Sequence, residues 1–172
     1  VFDADGADAT LAPDGAPNAL GTPHDVPAAR DCRGCHGGRR SRVLGYSAVQ
    51  LGQGPTFGSE VDRAALGYLH ANCSHCHNHA RPRPGAARCY DPQNALDFRL
   101  LVSSDSVEGT PAYRTAVAQT GVFRPGHPES SEAVGLMRGR LPASEQMPPL
   151  ATEVVDADGV ALIERWVSSL AR

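Results

Sequence analysis

Three stretches of the chain carry apolar residues at helical spacing, and glycine and proline punctuate the rest. Ser59 is an N-cap candidate ahead of Val61, Ala65, Leu66, Leu69 and Ala71, and Glu60 and Asp62 fall in the first turn, where the helix dipole favours acids. That pattern predicts a helix over about 60–73. Asp156 likewise precedes Val160, Ile163, Trp166, Val167 and Leu170, which recur at three- and four-residue steps along one face. This last helix needs an apolar partner, and the helix at 60–73 is the expected one. Between them, Pro128 and Glu129 open a short helix with Ala133, Val134, Leu136 and Met137 on its apolar side, stopped by Gly139 and Pro142.

Weaker patterns fill the gaps. Val43 to Leu51 is spaced for a turn or two of helix, Ala95 to Val102 for a short extended or helical piece, and Arg114 to Ala118 for another helical turn. Pro82, Pro84, Gly85 and Pro92 make 78–95 a long loop. Residues 1–31, with Pro13, Pro17, Pro23 and Pro27 and almost no apolar period, read as an extended arm. The chain therefore divides into an arm (1–31), a first chemistry-bearing segment (32–58) and a mainly α domain (59–172).

Composition narrows the class. With 172 residues, 41% hydrophobic and 20% charged, this is an ordinary globular chain of one domain or two small ones, and no apolar run reaches the length of a membrane span. Four Phe, four Tyr and one Trp are few for such a core, so something other than aromatic side chains is expected to help fill the interior. Every one of the 16 basic residues is Arg and the net charge is −3, which excludes a strongly basic nucleic-acid binder and a polybasic lipid patch. The first residue is Val1, which predicts either a removed signal peptide or a piece of a longer chain.

The five cysteines carry the chemistry. Four of them form Cys32-Arg33-Gly34-Cys35-His36 and Cys73-Ser74-His75-Cys76-His77, two copies of the attachment motif for c-type haem. Each thiol adds across one porphyrin vinyl group, two intervening residues bring both sulfurs to one ring edge, and the following His reaches the iron. A four-cysteine zinc knuckle, redox dithiols and plain disulfides are the competing readings. With seven His in the chain, chance places one after a given Cys-x-x-Cys about 4% of the time, and after both far less often. Two haem c groups are therefore the predicted cofactors, with His36 and His77 as proximal iron ligands, and their flat apolar rings answer the shortage of aromatics. Cys89, the odd thiol, is expected to be buried.

A six-coordinate iron needs a second axial donor, usually Met or His. Met147 stands in a loop stiffened by Pro148 and Pro149 just before the last helix, and is the predicted partner of His77. Met137, on the apolar side of a helix, is assigned to the core. For the first haem the candidate is His24, between Pro23 and Pro27, with His70 as runner-up and His75, His79 and His127 behind it; an open five-coordinate iron is the remaining possibility. Each of these imidazoles has a bland alternative as a surface side chain or a hydrogen-bond donor to a propionate.

These residues resemble a c-type cytochrome. Residues 59–172 look like a class I cytochrome c domain, with an attachment motif at the end of the first helix, Met in a Pro-rich loop and a C-terminal helix crossing the first. The strings Tyr68-Leu69-His70-Ala71-Asn72-Cys73-Ser74-His75-Cys76-His77, Pro125-Gly126-His127-Pro128-Glu129-Ser130-Ser131, Met147-Pro148-Pro149 and Val155-Asp156-Ala157-Asp158-Gly159-Val160 are similar to a family of secreted bacterial di-haem cytochrome-like proteins. So are His24-Asp25-Val26-Pro27 and Arg42-Val43-Leu44-Gly45-Tyr46-Ser47-Ala48-Val49-Gln50-Leu51, so that the likeness covers most of the chain beyond residue 20. The resemblance implies haem and fold, a periplasmic or extracellular location, and no particular substrate, although some members are fused to or encoded beside sugar-dehydrogenase-like proteins.

The expected function is electron transfer between redox partner proteins, from a lower-potential His36 haem to a Met-ligated His77 haem. The alternatives are a di-haem peroxidase-like enzyme with one open iron, a subunit of a polymeric cytochrome, and the electron-transfer module of a larger dehydrogenase.

Overall fold

The computed structural model describes residues 1–36, 45–79, 94–140, 146–149 and 152–170, the side chains of 33–35 aside. Among them the chain is mainly helical and forms no sheet. The predicted pieces at 43–44, the loop over 80–93 with Cys89, and Pro142 lie outside the described residues.

Four α-helices are present. α1 spans Ala29–His36, α2 Glu60–Asn72, α3 Glu132–Arg138 and α4 Ala157–Ser169. α1 starts inside the predicted arm, because Pro13 and Ala28 provide carbonyls for the first free N–H groups: Ala29 N–H donates to Pro13 at 2.9 Å and Asp31 N–H to Ala28 at 2.9 Å. The arm is also more folded than its composition suggests. Phe2 pairs with Ala9 and Ala16 with Val26 as isolated antiparallel bridges. Gly15, at φ +83°, makes the second possible, since any Cβ there would strike the Val26 carbonyl.

The two predicted long helices form where expected and cross each other. Ser59 caps α2 in a reciprocal box: its Oγ accepts from Asp62 N–H at 3.2 Å, and the Asp62 carboxylate accepts from Ser59 N–H at 2.8 Å. Asp156 caps α4 by accepting from Gly159 N–H at 2.9 Å. Ala65, Leu66 and Leu69 of α2 meet Ile163, Trp166 and Val167 of α4 in one core, which Phe98, Leu100, Ala112, Ala116, Phe123 and Val134 complete.

Two polar ties cross that helix pair. The Trp166 indole N–H donates to Asp62 Oδ1 at 3.2 Å, so the capping carboxylate of α2 also satisfies the one polar atom of the largest core side chain. The Tyr68 hydroxyl donates to Asp156 Oδ2 at 3.0 Å, and burial together with that bond raises the phenol above its ordinary pKa. Gly159 is required for this approach, because a Cβ there would overlap the Tyr68 hydroxyl.

The middle region departs from the expected helices. The piece predicted from Pro128 breaks into a 3₁₀ turn at Pro128–Ser130 and then α3. Buried Ser131 causes the break: its Oγ accepts from Arg124 N–H at 2.9 Å and donates to the His127 carbonyl at 2.9 Å, in extended geometry. The turn predicted at Arg114–Ala118 is a π-helical piece, Tyr113–Gln119. Residues 94–101 form no helix and no regular element, so of the two readings of Ala95–Val102 the helical one is not found.

Three of the few aromatic residues stand in one row: Phe98 and Phe123 have ring centroids 6.2 Å apart, and Phe123 and Trp166 5.5 Å. No helix among the described residues is long and apolar enough to cross a membrane.

Candidate haem-attachment site

α2 delivers the second motif. Its last turn ends on Cys73, whose N–H still reaches the Leu69 carbonyl at 2.9 Å, and the chain then coils so that His77 N–H returns to the Cys73 carbonyl at 2.9 Å. Polar side chains staple this coil: Ser74 Oγ donates to the His70 carbonyl at 2.6 Å, and buried Asn78 donates to the Ser74 carbonyl at 2.7 Å. The two thiols and the imidazole are thereby held on one compact turn.

That turn is one wall of a cavity of about 750 Å³, the space at its mouth included. Cys73, Cys76 and His77 line it together with Tyr68 and Asn72 of α2. Met147, Pro148 and Pro149 line it from the loop, Met137 and Arg140 from the end of α3, and Asp156 and Val160 from the start of α4. The wall is largely apolar with a few polar groups, the character of a small-molecule or cofactor site.

The Met147 loop is fastened from both sides. Met147 N–H donates to the Leu136 carbonyl at 3.0 Å, and Thr152 Oγ1 donates to the Pro148 carbonyl at 2.7 Å. Arg140 ties the end of α3 across to the next segment, donating to the Met137 carbonyl at 3.1 Å and the Val154 carbonyl at 3.0 Å. Among the described residues its Nε is buried without a hydrogen-bond partner. Burial pushes the Cys73 thiol up to about 12, so at neutral pH it is a protonated thiol.

Four of the predicted site residues thus share one cavity: Cys73, Cys76, His77 and Met147. Met137, assigned from sequence to the core, packs against it and also lines the cavity. The first motif sits differently. Cys32 and His36 are exposed on α1, and the side chain of Cys35 lies outside the described residues.

The other histidines have protein partners. His70 Nδ1 accepts from Leu100 N–H at 2.9 Å, so Nε2 carries the proton and faces Ser47 Oγ at 2.9 Å. In that arrangement neither ring nitrogen of His70 offers a free lone pair, and the runner-up ligand for the first iron serves instead as a tie between three segments. His24 Nδ1 lies 3.6 Å from Glu153, beside Thr152 and Val154 of the cavity wall. His127 Nδ1 lies 3.3 Å from Glu129, and half-buried His75 belongs to the motif turn.

His79 Nδ1 is 3.0 Å from Asp97, a buried carboxylate that Arg99 also grips, with Nη2 at 2.6 Å from Oδ2. Burial alone would raise the Asp97 carboxyl, but the Arg99 guanidinium and backbone N–H, with His79 beside them, hold it below the usual carboxylate range.

Sequence reasoning missed Asp62, Asp97 and Phe98. The one available signal was the alternation Asp97, Phe98, Arg99, Leu100, which has the two-residue period of a half-buried extended segment. Among the described residues, no group of three or more His, Cys, Asp or Glu side chains converges as a bare metal ion would need. No protein-family model, curated protein or solved structure matches the chain significantly.

Proposed function

We propose that this chain is a c-type cytochrome that carries two covalently bound haems and passes electrons between redox partners outside the cytoplasm. One observation carries the reading: the Cys73–His77 turn and Met147, far apart in sequence, line the same apolar cavity. Two thiols, an imidazole and a thioether are the donor set a c-type haem uses.

Cys73 and Cys76 would hold the group covalently, and His77 and Met147 would supply iron ligands from two different segments. A haem iron bound there supplies one-electron chemistry between Fe(II) and Fe(III). Tyr68, Val160, Pro148 and Pro149 line the same space and would keep water from it. Arg140 places a guanidinium in the wall, suited to a carboxylate of the bound group.

Cys32, Cys35 and His36 would hold the first haem on exposed α1. His24 reaches its iron only if its pairing with Glu153 opens. The net charge of −3 calls for a partner with a complementary basic patch, and added salt should slow their exchange.

The test is production of the full chain in a host that matures c-type cytochromes in its periplasm. Mass spectrometry and haem staining after denaturation should find two haems, and a Cys73→Ala/Cys76→Ala variant should keep one. Reduced spectra unchanged by carbon monoxide would establish two closed irons and an electron carrier. A shift in half of the haem would replace the carrier with peroxidase-like or gas-binding chemistry, and no covalent haem at all would overturn the reading.

A further inference from the structure

The segment over 94–101 holds the chain on either side of the second Cys-x-x-Cys pair. Phe98 N–H donates to the His77 carbonyl at 3.0 Å, and two residues on Leu100 N–H donates to His70 Nδ1 at 2.9 Å. Asp97 anchors the same segment from the other side, its N–H donating to Thr115 Oγ1 at 3.0 Å. Within this strap the Phe98 ring is buried and meets the His77 imidazole edge-on, with centroids 5.3 Å apart and planes at 75°.

We infer that Phe98 is a positioning residue for His77, fixing the plane of its imidazole and through it the electronic character of whatever iron His77 binds. The inference rests on the haem reading above and adds to it a residue that touches neither the iron nor, by any contact in the structure, the cavity. His77 has its backbone set by two hydrogen bonds, one from its N–H to Cys73 and one to its carbonyl from Phe98. The Phe98 ring stands against one edge of the imidazole and limits rotation about its side-chain bonds on that side.

The brace is rigid because it is itself braced. Phe123 lies 6.2 Å behind Phe98, and Trp166 5.5 Å behind Phe123 with its indole N–H on Asp62. The row thus connects the imidazole to the crossing of α2 and α4. Groups outside the ligand set that orient a metal-bound imidazole tune its donor strength and the metal's potential, and the angle of the imidazole plane over a porphyrin governs the g-anisotropy of the low-spin ferric iron.

The experiment compares Phe98→Leu, Phe98→Tyr and Phe123→Leu in the full chain carrying both haems, with haem content, melting temperature, ferric EPR spectrum and reduction potentials measured on each. Phe98→Leu should keep two haems but change the g-values and the potential of one of them. Phe98→Tyr, which retains the ring, should restore both, and Phe123→Leu, which removes only the support behind that ring, should lower the melting temperature and shift g-values and potential less than Phe98→Leu does. If Phe98→Leu does not accumulate, Phe98→Met fills the volume without a ring and is expected to behave the same way. Unchanged g-values and potentials in the ringless variant, beside a lowered melting temperature, would reduce Phe98 to a core residue and overturn the inference. A wild-type protein without covalent haem would instead sink the underlying reading, and haem content reports that separately.

Discussion

The two Cys-x-x-Cys-His segments share a spacing but sit in opposite surroundings. Cys32 and His36 are exposed on an eight-residue helix tied to the arm by backbone bonds, whereas Cys73 ends a thirteen-residue helix with a capping box and lines a cavity. The motif states which bonds the residues can make, and the neighbours decide in what medium they make them. On the haem reading, the second group would sit in a low-dielectric site closed by the Met147 loop, and the first would stand in contact with solvent. Solvent exposure and axial donor are both levers on potential, and a Met thioether with burial favours Fe(II). On that reading the same contrast would give transfer between the two sites a direction, towards His77.

The largest effect that could break this contrast is in thiol reactivity. In chain made without haem, Cys73 should react with iodoacetamide at pH 8 roughly a thousandfold or more slowly than a free cysteine, because a thiol pushed up to about 12 is almost wholly protonated. Exposed Cys32 should label readily. Timed alkylation read by peptide mass spectrometry gives both rates in one sample, with urea-unfolded chain as the control in which they converge. Equal rates in the folded chain would mean that the second motif is not held in a wall.

Next in size is the stability carried by each region. Trp166→Ala should cost about 3–5 kcal/mol in urea unfolding, since it opens a cavity at the crossing of α2 and α4. Trp166→Phe keeps most of the volume but leaves Asp62 without the indole donor, a loss of about 1–3 kcal/mol. A truncation of exposed Arg30 on α1 should stay within about 0.5 kcal/mol. A Trp166→Ala chain as stable as the wild type would show that the second motif does not depend on this core.

The helices and the Met loop were legible because their signals are local. Ser59 and Asp156 are short polar side chains immediately ahead of an apolar stripe, and a capping bond needs only the next three residues. Ser131 was not legible: its hydroxyl is drawn away from helix geometry by Arg124 and His127, which no periodicity records. Asp62 looked like an ordinary first-turn acid, and its bond to Trp166 spans 104 residues. The row of Phe98, Phe123 and Trp166 and the tie from His70 to Leu100 are long-range in the same way. For His24 and His70 the sequence offered imidazoles near a motif, but which lone pairs are already spent depends on backbone groups brought up by folding.

The smallest effect concerns the link between the two regions. His24 Nδ1 stands 3.6 Å from Glu153 with the imidazole 59% exposed, a pairing between the arm and the segment that flanks the Met147 loop. A pair between an exposed histidine and a half-buried glutamate at this distance contributes about 1 kcal/mol at most, and screening by salt reduces it further. His24→Ala should therefore leave the urea midpoint nearly unchanged, while faster proteolysis between residues 13 and 28 would report a loosened arm. The variant also separates two roles for this histidine. If His24 only pairs with Glu153, the spectrum of the haem-loaded chain stays the same; if it leaves that partner to ligate the first iron, its loss opens a coordination site and half of the reduced haem gains sensitivity to carbon monoxide.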